Sequence, residues 1–296
     1  MKKYIFLSIL IIFYAVFSAN SQTSSMQLLK QQIINELAKQ KGTFAVAFKN
    51  LQNGNELLIN EHENFHAAST MKTPVMIEVY KQADEGKFSL SDSIVIKNEF
   101  KSIVDSSVYS LDSSNDSETE IYRHIGEKRT FYQLVYDMII ASSNLATNLI
   151  IEHVGAKNVT ESMHVLGAKD ILVLRGVEDN KAFDKGLNNT TTAYDLMTIF
   201  TKMAQGKTVN KKASEAMINI LLDQTFNTII PANLPKDVKV AHKTGSISGV
   251  HHDSGIVFLP DGRKYVLVIL SKDLEGEDAA VKAMAHVSEM IYHFFE

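Results

Sequence analysis

Residues 68–77 read ASTMKTPVMI and set a serine and a lysine three positions apart at the start of a helix. Pro74 supports that reading, because proline fits a helix best in its first turn, where its missing N–H has no bond to lose. Residues three apart share one helical face, so Ser69 and Lys72 stand side by side. An amine beside a hydroxyl is one of the few arrangements that makes a serine nucleophilic without a histidine.

Outward from this helix the pattern is legible in both directions. Residues 26–41 carry Leu29, Ile33 and Leu37 on one stripe and stop at Gly42, which predicts an amphipathic helix. TFAVAFKNL and ELLIN flank Gln52-Asn53-Gly54-Asn55, and Asn-Gly between two strand-like runs predicts a hairpin. SGIVFLP and KYVLVILS around Asp261-Gly262 predict a second one, and residues 277–295 return to helical spacing through Val281, Met284, Ser288 and Ile291. Residues 70–205 follow helical patterns, with Met138, Met163 and Met197 in apolar runs that read as core. They are broken by KNEFKSIVDSSVYSLDSSNDSETE and by LRGVEDNKAFDKGLNNTTT, which read as loops or an insertion; the Ser/Asp-rich part, 105–120, reads as a mobile surface segment.

The expected fold class is α/β in the α+β, three-layer sense: an antiparallel sheet built from both chain ends, flanked by the terminal helices, with an all-helical lobe inserted between. The expected divisions are 1–21 as a signal peptide, 22–68 as the first part of the sheet lobe, 69–207 as the helical lobe and 208–296 as the rest of the sheet lobe. A cleft belongs where the two lobes meet.

MKKYIFLSILIIFYAVFSANSQ carries two lysines, an apolar run from Ile5 to Phe17, and small Ala19 and Ser21 before Gln22, the pattern of a cleaved export signal. The run is shorter than the roughly 18–20 residues of a spanning helix. With no cysteine there is neither a lipid-attachment thiol nor a disulfide, so a soluble, periplasmic or secreted monomer without a stable membrane anchor is expected. Loss of Lys2 and Lys3 with the signal takes the formal charge from −4 to −6, which disfavours nucleic acid as a partner.

Two further stretches bear on Ser69 and Lys72. Ser142-Ser143-Asn144 precedes the apolar helix LATNLIIEHVG, and Lys243-Thr244-Gly245 ends the strand-like run VKVAHKTG. In chain order the three read Ser-x-x-Lys, Ser-x-Asn, Lys-Thr-Gly. That trio resembles the penicillin-recognising serine enzymes, and within them the class A β-lactamases, for which this same set is a standard signature. The resemblance runs from about residue 26 to the C-terminus. It implies a five-stranded sheet, a helical lobe, and a site in the cleft between them.

Carried onto this chain, the resemblance makes Ser69 the nucleophile, at a helix N-terminus that favours developing negative charge. Lys72, partly buried and near a second cation at Lys243, would have a lowered pKa and accept the serine proton as a neutral amine. Ser142 would pass a proton to the leaving nitrogen, Asn144 would hold the substrate's side-chain amide, and Lys243 with Thr244 would bind its carboxylate. Backbone N–H groups of Ser69 and Ser246 would form the oxyanion hole, and Gly245 would let substrate lie close to the strand. The implied partner is a small β-lactam or related acyl donor, with no metal and no organic cofactor.

The chain departs from the family at several places. A second Ser-x-Asn, Ser113-Ser114-Asn115, lacks the apolar helix that follows Ser142. The family's middle aspartate is Ser143. The glutamate that frees the acyl group stands two places after the loop arginine in the family, whereas Glu178 stands three after Arg175. The loop's closing aspartate is matched by Asn189, and a substrate-binding arginine by Ser254, with Arg263 in a nearby turn. Acylation by Ser69 with deacylation through Glu178 is the expectation; a penicillin-binding D,D-peptidase or an esterase-type hydrolase is the alternative. His62-Glu63-Asn64-Phe65-His66 spells a zinc-protease pattern that works only on a helix, and here it lies in a connection. His251 and His252, adjacent on a strand, point to opposite faces. A β-lactam sensor would come with a membrane segment and a signalling domain.

Overall fold

The computed structural model describes residues 25–296, so the signal peptide expected over 1–21 lies outside the described residues. The sheet consists of β1 (Thr43–Asn50), β2 (Glu56–Ile59), β3 (Lys239–Ile247), β4 (Val250–Phe258) and β5 (Lys264–Lys272), in the spatial order β2-β1-β5-β4-β3. All neighbours are antiparallel, and β1 lies on β5 from Thr43 opposite Lys272 to Asn50 opposite Tyr265. The two ends of the chain are thus paired inside the sheet, and what lies between them is an insertion in space as well as in sequence.

Side chains alternate between the faces of a strand, and the core sorts accordingly. Phe44, Val46, Phe48, Leu267 and Ile269 belong to the cluster under the terminal helices, to which α1 (25–37) brings Leu29 and Ile33. Ala45, Ala47, Val266, Val268 and Leu270 belong to the cluster on the other face, with the inserted helices. One alternating pattern therefore serves both layers.

The inserted side holds α2 (Lys72–Asp84), α3 (Phe131–Ile140), α4 (Asn144–Val154), α5 (Ala156–Leu166), the short α6 (Asn180–Asp184), α7 (Ala193–Ala204) and α8 (Lys211–Leu222), before α9 (Glu277–Phe295) closes the chain. Ala213, Met217, Ile220 and Leu221 of α8 join this cluster, so the helical side runs past residue 207. Every residue of α2 from Lys72 to Tyr80 is buried, which makes it the central helix of the lobe. Its Val75, Met76, Ile77 and Val79 each contribute about 1.5–3 kcal/mol of burial, an anchor for the residues at its start. Met138, Met163 and Met197 are core, as their runs suggest.

Two elements differ from the expectation. β3 does not end at Lys243-Thr244-Gly245; it continues to Ile247 and turns through Ser248-Gly249, with Gly249 at φ 71°, into β4. Residues 105–120 lie mostly at the surface, as expected, but are pinned to the fold at a few buried points. Phe100–Lys101 pairs with Val108–Tyr109, Asn98 exchanges two 2.8 Å side-chain bonds with the backbone of Leu111, and Leu111 and Asp116 are buried. The polar side chains that look solvated in the sequence satisfy one another and the backbone.

Candidate active site

The chain enters α2 through a 3-10 turn, Ala68–Met71. Ala68 has φ 44°, in the left-handed region that costs an alanine about 1–3 kcal/mol, and its N–H is held by His66 Nδ1 at 3.0 Å. Thr70 pins the turn from inside, its Oγ1 donating to Ala67 O at 2.6 Å. Ser69 is thereby presented, partly exposed, on the wall of a cleft of about 350 Å³ that Asn144, Arg175, Glu178 and Ser246 also line. β3 closes against this turn at Gly245, where a Cβ would lie 3.1 Å from Ser69 N and from Thr70 N. Glycine is what lets the strand and the nucleophile turn approach so closely.

Lys72 and Lys243 are both 0 % exposed. Lys72 Nζ donates to Ser142 O at 2.7 Å, to Ser142 Oγ at 3.2 Å and to Asn144 Oδ1 at 2.9 Å. Lys243 Nζ reaches the same Ser142 Oγ at 3.0 Å and Thr244 O at 2.9 Å. One hydroxyl thus lies between two amines. Ser142 manages this with φ 57°, a left-handed turn that brings both its carbonyl and its hydroxyl to Lys72. Burial pushes the Lys72 amine down to about 7, against the opposing pull of Asp116 and Glu178. Burial, and then the charge of Lys72, hold Lys243 well below its ordinary value, with Asp253 opposing. Asp253 is itself anchored by His242 Nδ1 at 2.8 Å and Ile230 N at 3.0 Å.

Ser143 caps α4, its Oγ accepting from Ala146 N at 3.2 Å. Asn144, the first residue of α4, joins the two halves of the site: Lys72 donates to its Oδ1, and its Nδ2 donates to Glu178 Oε1 at 2.9 Å. Glu178 itself has φ 60°, in the left-handed region, and its side chain lines the cleft. Burial raises the Glu178 carboxyl above its ordinary value, partly offset by the bond from Asn144.

The loop that carries Glu178 is fixed from several sides. Asn148 on α4 brackets Val177, accepting from its N–H at 2.7 Å and donating to its carbonyl at 3.0 Å. Gly176 makes room for this, since a Cβ there would stand 2.2 Å from Asn148 Oδ1. Asp179 accepts from Ser102 Oγ at 2.8 Å and Ile103 N at 2.9 Å, tying the loop to the insertion. Among the described residues Arg175 binds neutral acceptors, Leu187 O, Gly176 O and Asn188 Oδ1. Asn189 instead holds the backbone, accepting from Leu174 N and donating to Arg175 O.

The other sequence candidates lie elsewhere. Ser113–Asn115 is an exposed 3-10 turn. Ser254 is buried and donates to Lys243 O, while Arg263 binds Asp261 and the carbonyl of Phe295. His62 packs on Tyr194, and His66 lies on a two-residue strand, so the zinc-protease pattern has no helix beneath it. His251 pairs with Glu277, and His252 reaches inward to His66 O. Asp116, Asn148 and Asp179 escape a reading of the sequence. Their partners are 28, 29 and 76 or 77 residues away, and no local spacing marks them.

A serine turn, two lysines on one hydroxyl and a loop carboxylate, set between such a sheet and such a helical lobe, place the chain among the penicillin-recognising serine enzymes. The chain belongs to the beta-lactamase enzyme family, whose sequence model matches residues 28–295. It is 27% identical to the extended-spectrum beta-lactamase PER-1 of Pseudomonas aeruginosa, over 94% of this chain and 91% of that protein. It is likewise 27% identical to a beta-lactamase of Bacteroides uniformis, over 99% of each. Among solved structures it resembles PBP-A, with a TM-score of 0.79 and 28% identity, over 90% of this chain and 95% of that one.

Proposed function

We propose that this chain is a serine β-lactamase of the class A type, working through an acyl-enzyme on Ser69. The observation that carries the reading is Glu178 in the same cleft as Ser69, held by Asn144 at 2.9 Å although it stands one place late in the sequence. Lys243 and Thr244 receive the substrate carboxylate, and the N–H groups of Ser69 and Ser246 receive the lactam carbonyl oxygen. Lys72, neutral in a large fraction of molecules near pH 7, takes the Ser69 proton as Oγ bonds to the carbonyl carbon. The C–N bond breaks and the ring nitrogen takes a proton through Ser142. Glu178 then draws a proton from water as the water oxygen bonds to the ester carbon; the C–O bond to Ser69 breaks, Ser69 Oγ takes up that proton, and the acid product leaves with Ser69 and Glu178 back in their starting forms.

A second reading, a penicillin-binding protein that keeps the acyl group, draws on the likeness to PBP-A. Turnover of a chromogenic cephalosporin, absent in Ser69→Ala, separates the two; a Ser69 adduct without turnover supports the second. We read the protein as exported and monomeric. Among the described residues no helix is long and apolar enough to cross a membrane.

A further inference from the structure

A helix leaves its first N–H groups without partners inside the helix, and at α4 these fall directly behind Asn144. Ser143 takes the N–H of Ala146. The first two are taken by a side chain from elsewhere: Asp116 accepts from Asn144 N at 3.0 Å and 2.9 Å through its two oxygens, and from Leu145 N at 3.0 Å. Tyr122 OH donates to Asp116 Oδ2 at 2.9 Å and Glu118 N to Oδ1 at 3.1 Å, and Asp116 is only 7% exposed. A buried carboxylate with this many donors is fixed in place.

We infer that Asp116 is a positioning residue for the reaction: from the insertion it seats the start of α4, so that the Asn144 side chain bridges Lys72 and Glu178, and it supplies the negative charge that faces Lys72. The inference rests on the function proposed above. Asp116 is the larger of the two carboxylate influences on Lys72, ahead of Glu178. The titratable groups facing Lys72 and Asp116 are Lys243 on β3, Glu178 on the loop before α6, Tyr122 on the turn Glu120–His124, and Asp112 and Glu118 on the stretch of Asp116 itself. Removing a carboxylate that favours the ammonium lowers the amine's pKa. The limb of the acylation profile that rises as Lys72 loses its proton therefore moves to lower pH.

The test is the pH dependence of kcat/KM on a chromogenic cephalosporin for the wild-type chain, Asp116→Asn, and the double variant Asp116→Asn/Ser143→Asp, with intact-mass detection of a penicillin adduct on Ser69. Asp116→Asn is expected to lose roughly 100-fold in kcat/KM and to shift the limb by about one pH unit toward acid. The double variant returns a carboxylate to the cap of the same helix and is expected to regain at least about tenfold and to move the limb back. A limb that stays in its wild-type place in Asp116→Asn makes Asp116 a structural cap only and overturns the inference, as does a double variant no better than the single. Wild-type protein without a Ser69 adduct overturns the functional reading and this inference with it; an acylated wild type with an unmoved limb in Asp116→Asn overturns this inference alone.

Discussion

Asn144 spans the site between Lys72 and Glu178, accepting from one at 2.9 Å and donating to the other at 2.9 Å. The groups proposed to act in acylation and in deacylation thus share one amide. Asn144→Ala removes both bonds and leaves the buried Lys72 amine and the half-buried Glu178 carboxyl each short of a partner. A loss of roughly 100-fold in kcat/KM is expected, with both the appearance and the decay of the Ser69 adduct slowed when followed by rapid-mix mass spectrometry.

The pH profile follows from two displaced groups. Lys72, brought down to about 7 by burial, accepts a proton only when neutral, so the acylation rate constant rises with pH through about 7 and levels off above. As the proposed deacylation base, Glu178 works only when ionised, and burial raises its pKa, so the deacylation limb is expected above the ordinary glutamate range. Single-turnover rates across pH check the two limbs separately.

Gly176→Ala separates the half-reactions. The new methyl would lie 2.2 Å from Asn148 Oδ1 and displace the Val177 bracket that holds the Glu178 loop. Acylation is expected to change by less than about threefold and deacylation to slow by about 10²-fold, so the acyl-enzyme accumulates during steady-state turnover.

Asn189→Asp, which gives the loop the aspartate common in the family, is expected to destabilise by about 1–3 kcal/mol. Asn189 Nδ2 donates to Arg175 O at 3.0 Å, and a carboxylate oxygen there would face a carbonyl oxygen. Chemical denaturation of the two proteins gives the difference directly.

The parts of this molecule that could be read from the sequence are those written in local spacing. Asn53-Gly54 and Asp261-Gly262 set the two hairpins, and alternation in TFAVAF and YVLVIL sets the sheet between its two layers. Ser69, Lys72 and Lys243 declare themselves through motifs. The Ser248-Gly249 turn was missed because the Lys-Thr-Gly motif lies within a strand that runs on to Ile247. The burial of Asp116 was hidden because a Ser/Asp-rich stretch has the same composition whether its carboxylates face water or a helix start. Glu178 looked misplaced by one residue, since residue spacing does not show that its side chain, at φ 60°, lines the cleft.

Ser69 is proposed to carry the acyl group and Glu178 to remove it. The most direct measurement is intact-protein mass spectrometry of the wild-type chain and Glu178→Gln, mixed with a penicillin and sampled from seconds to an hour. The expected result is an adduct on Ser69 that decays in the wild type as drug is consumed and persists in Glu178→Gln. A Glu178→Gln adduct that clears at the wild-type rate, or no adduct on Ser69 in either protein, would contradict that proposal.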